Sequence, residues 1–162
     1  MSKRIQVADL KAAIGSLYPP PFGQPCATRE RRRLGDAAGL TQFGVNLMRL
    51  PPGAWSSQRH WHSHVDEFVY VLAGEVTLVT DAGTEVLRAG DAAGFRAGDP
   101  DGHHLQNRSA ADALVLEVGT RAPKQDSTTY PGIDLIAPAG SVPARFTHRD
   151  GTAYADVPAR AT

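Results

Sequence analysis

Three histidines and a glutamate fall within eight residues of this chain, as His60, His62, His64 and Glu67. Neutral imidazoles and a carboxylate are donor types that hold divalent transition metals. In a strand alternate side chains share a face, so His60 and His62 point the same way. Glu67 follows across a bend and can converge on the same ion. A second cluster, Gly102-His103-His104-Leu105-Gln106-Asn107, lies further along and can supply another ligand. The apolar run from Phe68 to Leu72 carries Glu67 into a core, where a carboxylate needs a partner. The chemistry this pattern points to is a mononuclear metal site.

The elements that must position these residues read as strands. From Leu40 onward, Phe43, Val45, Leu47 and Arg49 fall on one face, and Gly44, Asn46, Met48 and Leu50 on the other. Pro51-Pro52-Gly53 is a turn signal. Residues 60–62 and 67–72 are expected strands. Residues 75–80 and 84–88 flank Asp81-Ala82-Gly83, a short hairpin loop. Residues 92–96, 103–108 and 113–118 complete a closely spaced set, which argues for an all-β barrel or sandwich. In the second cluster, Leu105 and Asn107 share the face of His103, while His104, Gln106 and Arg108 share the other.

Upstream, Val7, Leu10, Ile14 and Leu17 are spaced for one face of a short helix over residues 6–17. Pro19-Pro20-Pro21 ends it in an extended polyproline segment. The charge run from Arg29 to Arg33 reads as a solvated turn, with an anion-binding patch as its functional alternative. The tail from Arg121 is rich in proline and polar residues, and residues 130–135 and 146–154 are expected edge segments.

A length of 162 residues suits one domain and can bury a core without disulfides. The expected layout is an N-terminal arm over 1–40, a barrel core over 41–120 and a C-terminal strand and loop extension over 121–162. Lys+Arg and Asp+Glu balance at 17 each, so there is no electrostatic case for nucleic acid or a membrane surface as partner. No apolar run reaches transmembrane length. Asp9 and Lys11 interrupt the first apolar stretch, so it fails as a signal peptide. The lone Cys26 cannot form an internal disulfide. Together these point to a cytoplasmic protein.

The two clusters resemble the two sequence motifs of the cupin superfamily. The first motif there is a glycine, five residues, His-x-His, three or four residues, Glu, six residues and Gly. In this chain Gly53 is followed by six residues, then His60-Trp61-His62, four residues, Glu67, six residues and Gly74. The second motif is a glycine, five residues, Pro-x-Gly, two residues, His, three residues and Asn. Here Gly90 is followed by five residues, Arg96-Ala97-Gly98, four residues, His103, three residues and Asn107, with Arg96 in place of the proline. The resemblance spans Gly53 to Asn107. It implies a double-stranded β-helix, or jelly-roll barrel, with a short N-terminal helix or arm. It also implies one divalent metal per chain, Zn, Fe, Mn or Ni, held by His60, His62, Glu67 and His103. His103 keeps the family spacing to Asn107; His104 is the alternative fourth ligand. Asn107 would steady a ligand or loop from behind.

Arg59-His60-Trp61-His62, residues 66–72 and Asn107-Arg108-Ser109 are similar to small single-domain cupins named as sugar-phosphate isomerases. That likeness implies a small polar metabolite as substrate and a homodimer, with the residues before Gly53 as an arm crossing to the partner. The metal would hold adjacent hydroxyl and carbonyl oxygens while a base moves a proton between carbons. The base is not identified; Glu117 and His104 are candidates. Arg59, Arg96 and Arg108 are available to clamp a phosphate, and Trp61 and Tyr70 are further pocket candidates. The same ligand set serves an Fe(II)-dependent dioxygenase, and a non-catalytic small-molecule-binding module is a third reading.

Overall fold

Strand β3, Phe43–Leu50, shows why this sequence builds a barrel. Its alternating side chains send Met48 and Leu50 inward, each fully buried, while Phe43 stays exposed. The computed structural model describes residues 3–140 and 146–155, so the extension expected over 121–162 lies partly outside the described residues. Strand β3 sits inside a six-stranded sheet. Its other members are β1 (Ala13–Ile14), β2 (Glu30–Arg33), β5 (Glu67–Ala73), β8 (Ala92–Phe95) and β10 (Ala113–Thr120). The order is β1-β2-β3-β10-β5-β8, antiparallel throughout.

A second sheet, ordered β7-β6-β9, uses β6 (Glu75–Thr80), β7 (Gly83–Arg88) and β9 (His104–Gln106). A third, ordered β12-β11-β4, uses β4 (Trp61–His62), β11 (Thr128–Thr129) and β12 (Ile136–Ala137). Met48, Leu50, Val69, Val71 and Val115 of the large sheet meet Val76, Leu78, Leu87 and Leu105 of the second in one core. The fold is the all-β barrel that the sequence implies.

Gly74 links β5 to β6 at φ +73°, and a Cβ there would meet the Asp112 carbonyl oxygen at 2.5 Å. Only glycine satisfies both conditions. Asn107 is fully buried and donates to the carbonyls of Leu50 at 2.7 Å and Ala111 at 2.8 Å. It also accepts from the Ser109 amide and hydroxyl. These bonds pin the β9–β10 loop, and among the described residues none of them goes to a histidine or to Glu67.

Three local expectations give way. Residues 6–17 form no α-helix: Val7–Asp9 is a single 3₁₀ turn and Ala13–Ile14 is a strand. The apolar spacing there is too sparse, and pairing with β2 satisfies the backbone instead. Pro19-Pro20-Pro21 leads into a turn closed by Phe22 N–H donating to the Pro19 carbonyl at 2.9 Å, and is not a polyproline segment. The Glu30–Arg33 run is a half-buried strand on β3, not a solvated turn, because alternate side chains find partners inside. A short helix, α1 (Leu34–Ala37), follows it. The tail also does more than edge the barrel: Tyr130, Leu135 and Phe146 join Tyr18 and Cys26 in a second buried cluster.

Candidate metal centre

His60 and His103 are brought together by backbone. His60 N–H donates to the His103 carbonyl at 3.1 Å, and His103 N–H returns a bond to His60 at 2.9 Å. This bridge joins the two sequence clusters. Strand β5 supplies Glu67 from across the barrel, on the inward face with Val69 and Val71. His62 extends from β4, which pairs with β11 at Thr128. The Glu67 side chain, 30% exposed, faces a cavity of about 1110 Å³.

The Nε2 atoms of His103, His60 and His62 stand 3.0, 3.4 and 3.6 Å from Glu67 Oε2. His60, His62 and Glu67 each offer one ligand atom, all within 4.8 Å of one another. The opposite ring nitrogens are all engaged. His60 Nδ1 donates to the Gln58 carbonyl at 2.9 Å, and His103 Nδ1 lies 3.4 Å from the Asp101 carbonyl. His62 Nδ1 donates to Asp126 Oδ2 at 2.7 Å. Carbonyls and carboxylates only accept, so Nδ1 carries a hydrogen on each ring; a proton on Nε2 makes the bond to Glu67, and its loss frees that lone pair for a metal. Acceptors converging this way need a proton or a cation between them. The donor set therefore fits a divalent transition metal.

Electrostatics follow from the same contacts. Burial alone would raise the Glu67 carboxyl, but hydrogen bonds from His103 and His60 and the nearby imidazoles hold it well below the usual range. Burial would lower the His62 imidazole, yet the hydrogen bond to Asp126 and the Glu67 charge raise it. Burial likewise opposes ionisation of Asp126, and its bonds from His62 and the His64 amide win, keeping the carboxyl low. Phe95 lies parallel under His103, with ring centroids 3.6 Å apart, and fixes that ring's plane.

His104 faces elsewhere. Its Nδ1 donates to the Ser57 carbonyl at 2.9 Å, its Nε2 meets the Gln106 amide at 3.0 Å, and Trp55 packs edge-on. Burial pushes its imidazole down to about 4. With both nitrogens engaged, it turns no lone pair toward Glu67. His64 is exposed and bonded to Ser63. Glu117 lines the cavity, paired with Arg31 through Nη2 to Oε1 at 2.7 Å. Arg96, Arg108 and Tyr70 are exposed, and Arg59 pairs with Asp81. None of these four lines the cavity, and neither does Trp61.

A family model described as a cupin domain matches residues 46–119. Protein SchB of Streptomyces halstedii is 32% identical over 123 residues, 69% of this chain and 87% of that protein. The chain belongs to the cupin superfamily. Among solved structures, this cupin resembles a cupin-superfamily sugar phosphate isomerase from Silicibacter pomeroyi. The two are 42% identical with a TM-score of 0.87, over 96% of this chain and 99% of that one. A sugar phosphate isomerase candidate from Acidithiobacillus ferrooxidans is 26% identical with a TM-score of 0.75, over 90% and 89% of the two chains.

Sequence reasoning missed the cupin's second layer. Asp126 sits in a tail without a motif, and only folding carries it behind His62. Arg29 and Arg31, from the run read as a solvated turn with an anion-binding patch as its alternative, also line the cavity. Their signal was available: Arg29, Arg31 and Arg33 alternate, which a strand would place on one face.

Proposed function

We propose that this cupin is a metal-dependent isomerase or epimerase of a small sugar phosphate. The observation that carries the reading is the near full-length, 42% identical match to a protein named as a sugar phosphate isomerase. The site supports it. His60, His62, Glu67 and His103 would hold one divalent transition metal, which when bound supplies Lewis-acid polarisation of adjacent substrate oxygens. Asp126 keeps His62 in the tautomer that leaves Nε2 free. Glu117 is the cavity's carboxylate outside that cluster and is the group to take a proton from one substrate carbon and return it to the next. Arg31 positions it through a close pair, Nε to Oε2 at 2.7 Å.

The test is two-part. Metal content would be measured on untagged protein and on His62→Ala, then aldose phosphates would be incubated in deuterated water. About one metal per chain, lost in the variant, with deuterium entering C2, is the expected result. No exchange across a broad panel of the metal-loaded protein sinks the reading. Iron together with oxygen uptake would move it to the dioxygenase class.

A cytoplasmic homodimer belongs to the same proposal. The outer face of β5 exposes Phe68, Tyr70 and Leu72 in one row, an apolar surface suited to a second copy. Strands β1 and β2 pair beside β3 within this chain's own sheet. Light scattering at micromolar concentration should give twice the chain mass; the mass of a single chain would count against it. No helix among the described residues is long and apolar enough to cross a membrane.

A further inference from the structure

Arg29 is a buried cation with no carboxylate on it among the described residues. Its residue is 8% exposed and it lines the same cavity as the histidine cluster. Nε and Nη2 both donate to the Gly15 carbonyl, at 3.2 and 2.7 Å, and Nη1 donates to the Ser56 carbonyl. A guanidinium has five N–H donors. One donor on each Nη is therefore left without an acceptor among the described residues. Free Nη donors of this kind are what grip an oxyanion.

The surroundings do not neutralise it. Among the described residues no carboxylate lies in ion-pair contact with Arg29, and a buried charge is ordinarily paired. Glu117 is committed to Arg31. The neighbouring ionisable groups stay uncharged near neutral pH: burial pushes the Tyr18 hydroxyl up to about 12 and raises the Cys26 thiol. Five cationic side chains line the cavity against two carboxylates, Glu67 and Glu117; of the five, Arg31 pairs with Glu117, and Arg33 and Arg121 pair with Asp36.

We infer that Arg29, with Arg31 beside it on the cavity wall, is the anion-binding end of this site and takes the phosphate group of the substrate. The inference rests on the sugar-phosphate reading for the identity of the anion. It replaces the surface arginines Arg59, Arg96 and Arg108, whose side chains lie outside the cavity. A substrate spanning the cavity would present its phosphate to Arg29 and its adjacent oxygens to the histidine cluster.

Calorimetry on the full chain decides this, using inorganic phosphate, a hexose phosphate and the same hexose without phosphate. Wild type should bind both phosphate compounds and prefer the hexose phosphate over the free hexose. Arg29→Met should weaken both by about tenfold or more, the loss expected for charge-assisted hydrogen bonds. Arg96→Ala should bind as wild type does. Folded Arg29→Met protein that keeps wild-type affinity overturns the inference, as does wild type that ignores phosphate. If Arg29→Met does not fold, a crystal of wild type grown with inorganic phosphate replaces it. An oxyanion on the Arg29 Nη atoms supports the inference; one found only on Arg59, Arg96 or Arg108 overturns it. These readouts need no turnover. Phosphate binding at Arg29 without deuterium exchange would sink the isomerase reading alone, and exchange with phosphate indifferent to Arg29 would sink this inference alone.

Discussion

At the residue scale, the centre depends on which nitrogen of each histidine is free. Asp126 holds the Nδ1 hydrogen of His62 at 2.7 Å, so it acts on any metal only through that ring. Asp126→Asn should weaken metal affinity by about 10- to 100-fold, with the fold kept, since partners behind a ligand typically matter that much. Competition with a chromophoric chelator reads the affinity, and unchanged affinity would remove Asp126 from the site. His104 offers a cleaner pH test. Its folded value of about 4 lies below the ordinary imidazole value of 6.5, so the unfolded chain takes up a proton that the folded one refuses. Stability is therefore complete above the unfolded pKa and falls as pH drops through that window. The full penalty is roughly 3 kcal/mol from the shift. Urea unfolding across the window should show His104→Gln losing less stability on acidification than wild type. Equal losses would assign the acid sensitivity to other groups.

At the element scale, the β9–β10 loop is held by one side chain. Asn107 donates to two buried carbonyls, and Asn107→Asp would face both with an acceptor. The expected cost is about 2–4 kcal/mol, from two lost donors and uncompensated buried oxygens. A drop in thermal midpoint checks it, and a variant as stable as wild type would deny the loop this role. Much of the strand pattern was legible beforehand. The hairpin strands 75–80 and 84–88, and the strands near 43–50, 67–72 and 113–118, show alternating or continuous apolar runs between glycine and proline turns. The first forty residues were not legible. Arg31 and Arg33 look like a solvated run until Glu117 and the cavity appear, because a charge reads as exposed unless its partner is known.

At the scale of the whole molecule, the C-terminal extension is structural as well as functional. Leu135 is fully buried in the second cluster with Tyr18, Tyr130 and Phe146. That cluster backs the cavity where Tyr130 lies 5.8 Å from the His60 ring, centroid to centroid. Leu135→Ala should cost about 2–5 kcal/mol as a cavity opens. It should also loosen the segment bearing Asp126, seen as faster amide exchange there. A loss confined to the second cluster, with the Asp126 segment unmoved, would separate the tail's packing from the site.

His60, His62 and Glu67 could be read directly, because their spacing along strand and bend suffices to make them converge. The all-β class was equally open, since alternation of period two and turn residues are local properties. Three things waited on the folded chain. His103 rather than His104 turns toward Glu67, because its backbone pairs with His60. Asp126 reaches His62 from sixty-four residues away. Arg29 and Arg31 meet the cavity through pairing with β3 and contacts to Gly15 and Ser56. Each of these is a contact between segments distant in the chain, and no local spacing encodes the register that brings them together.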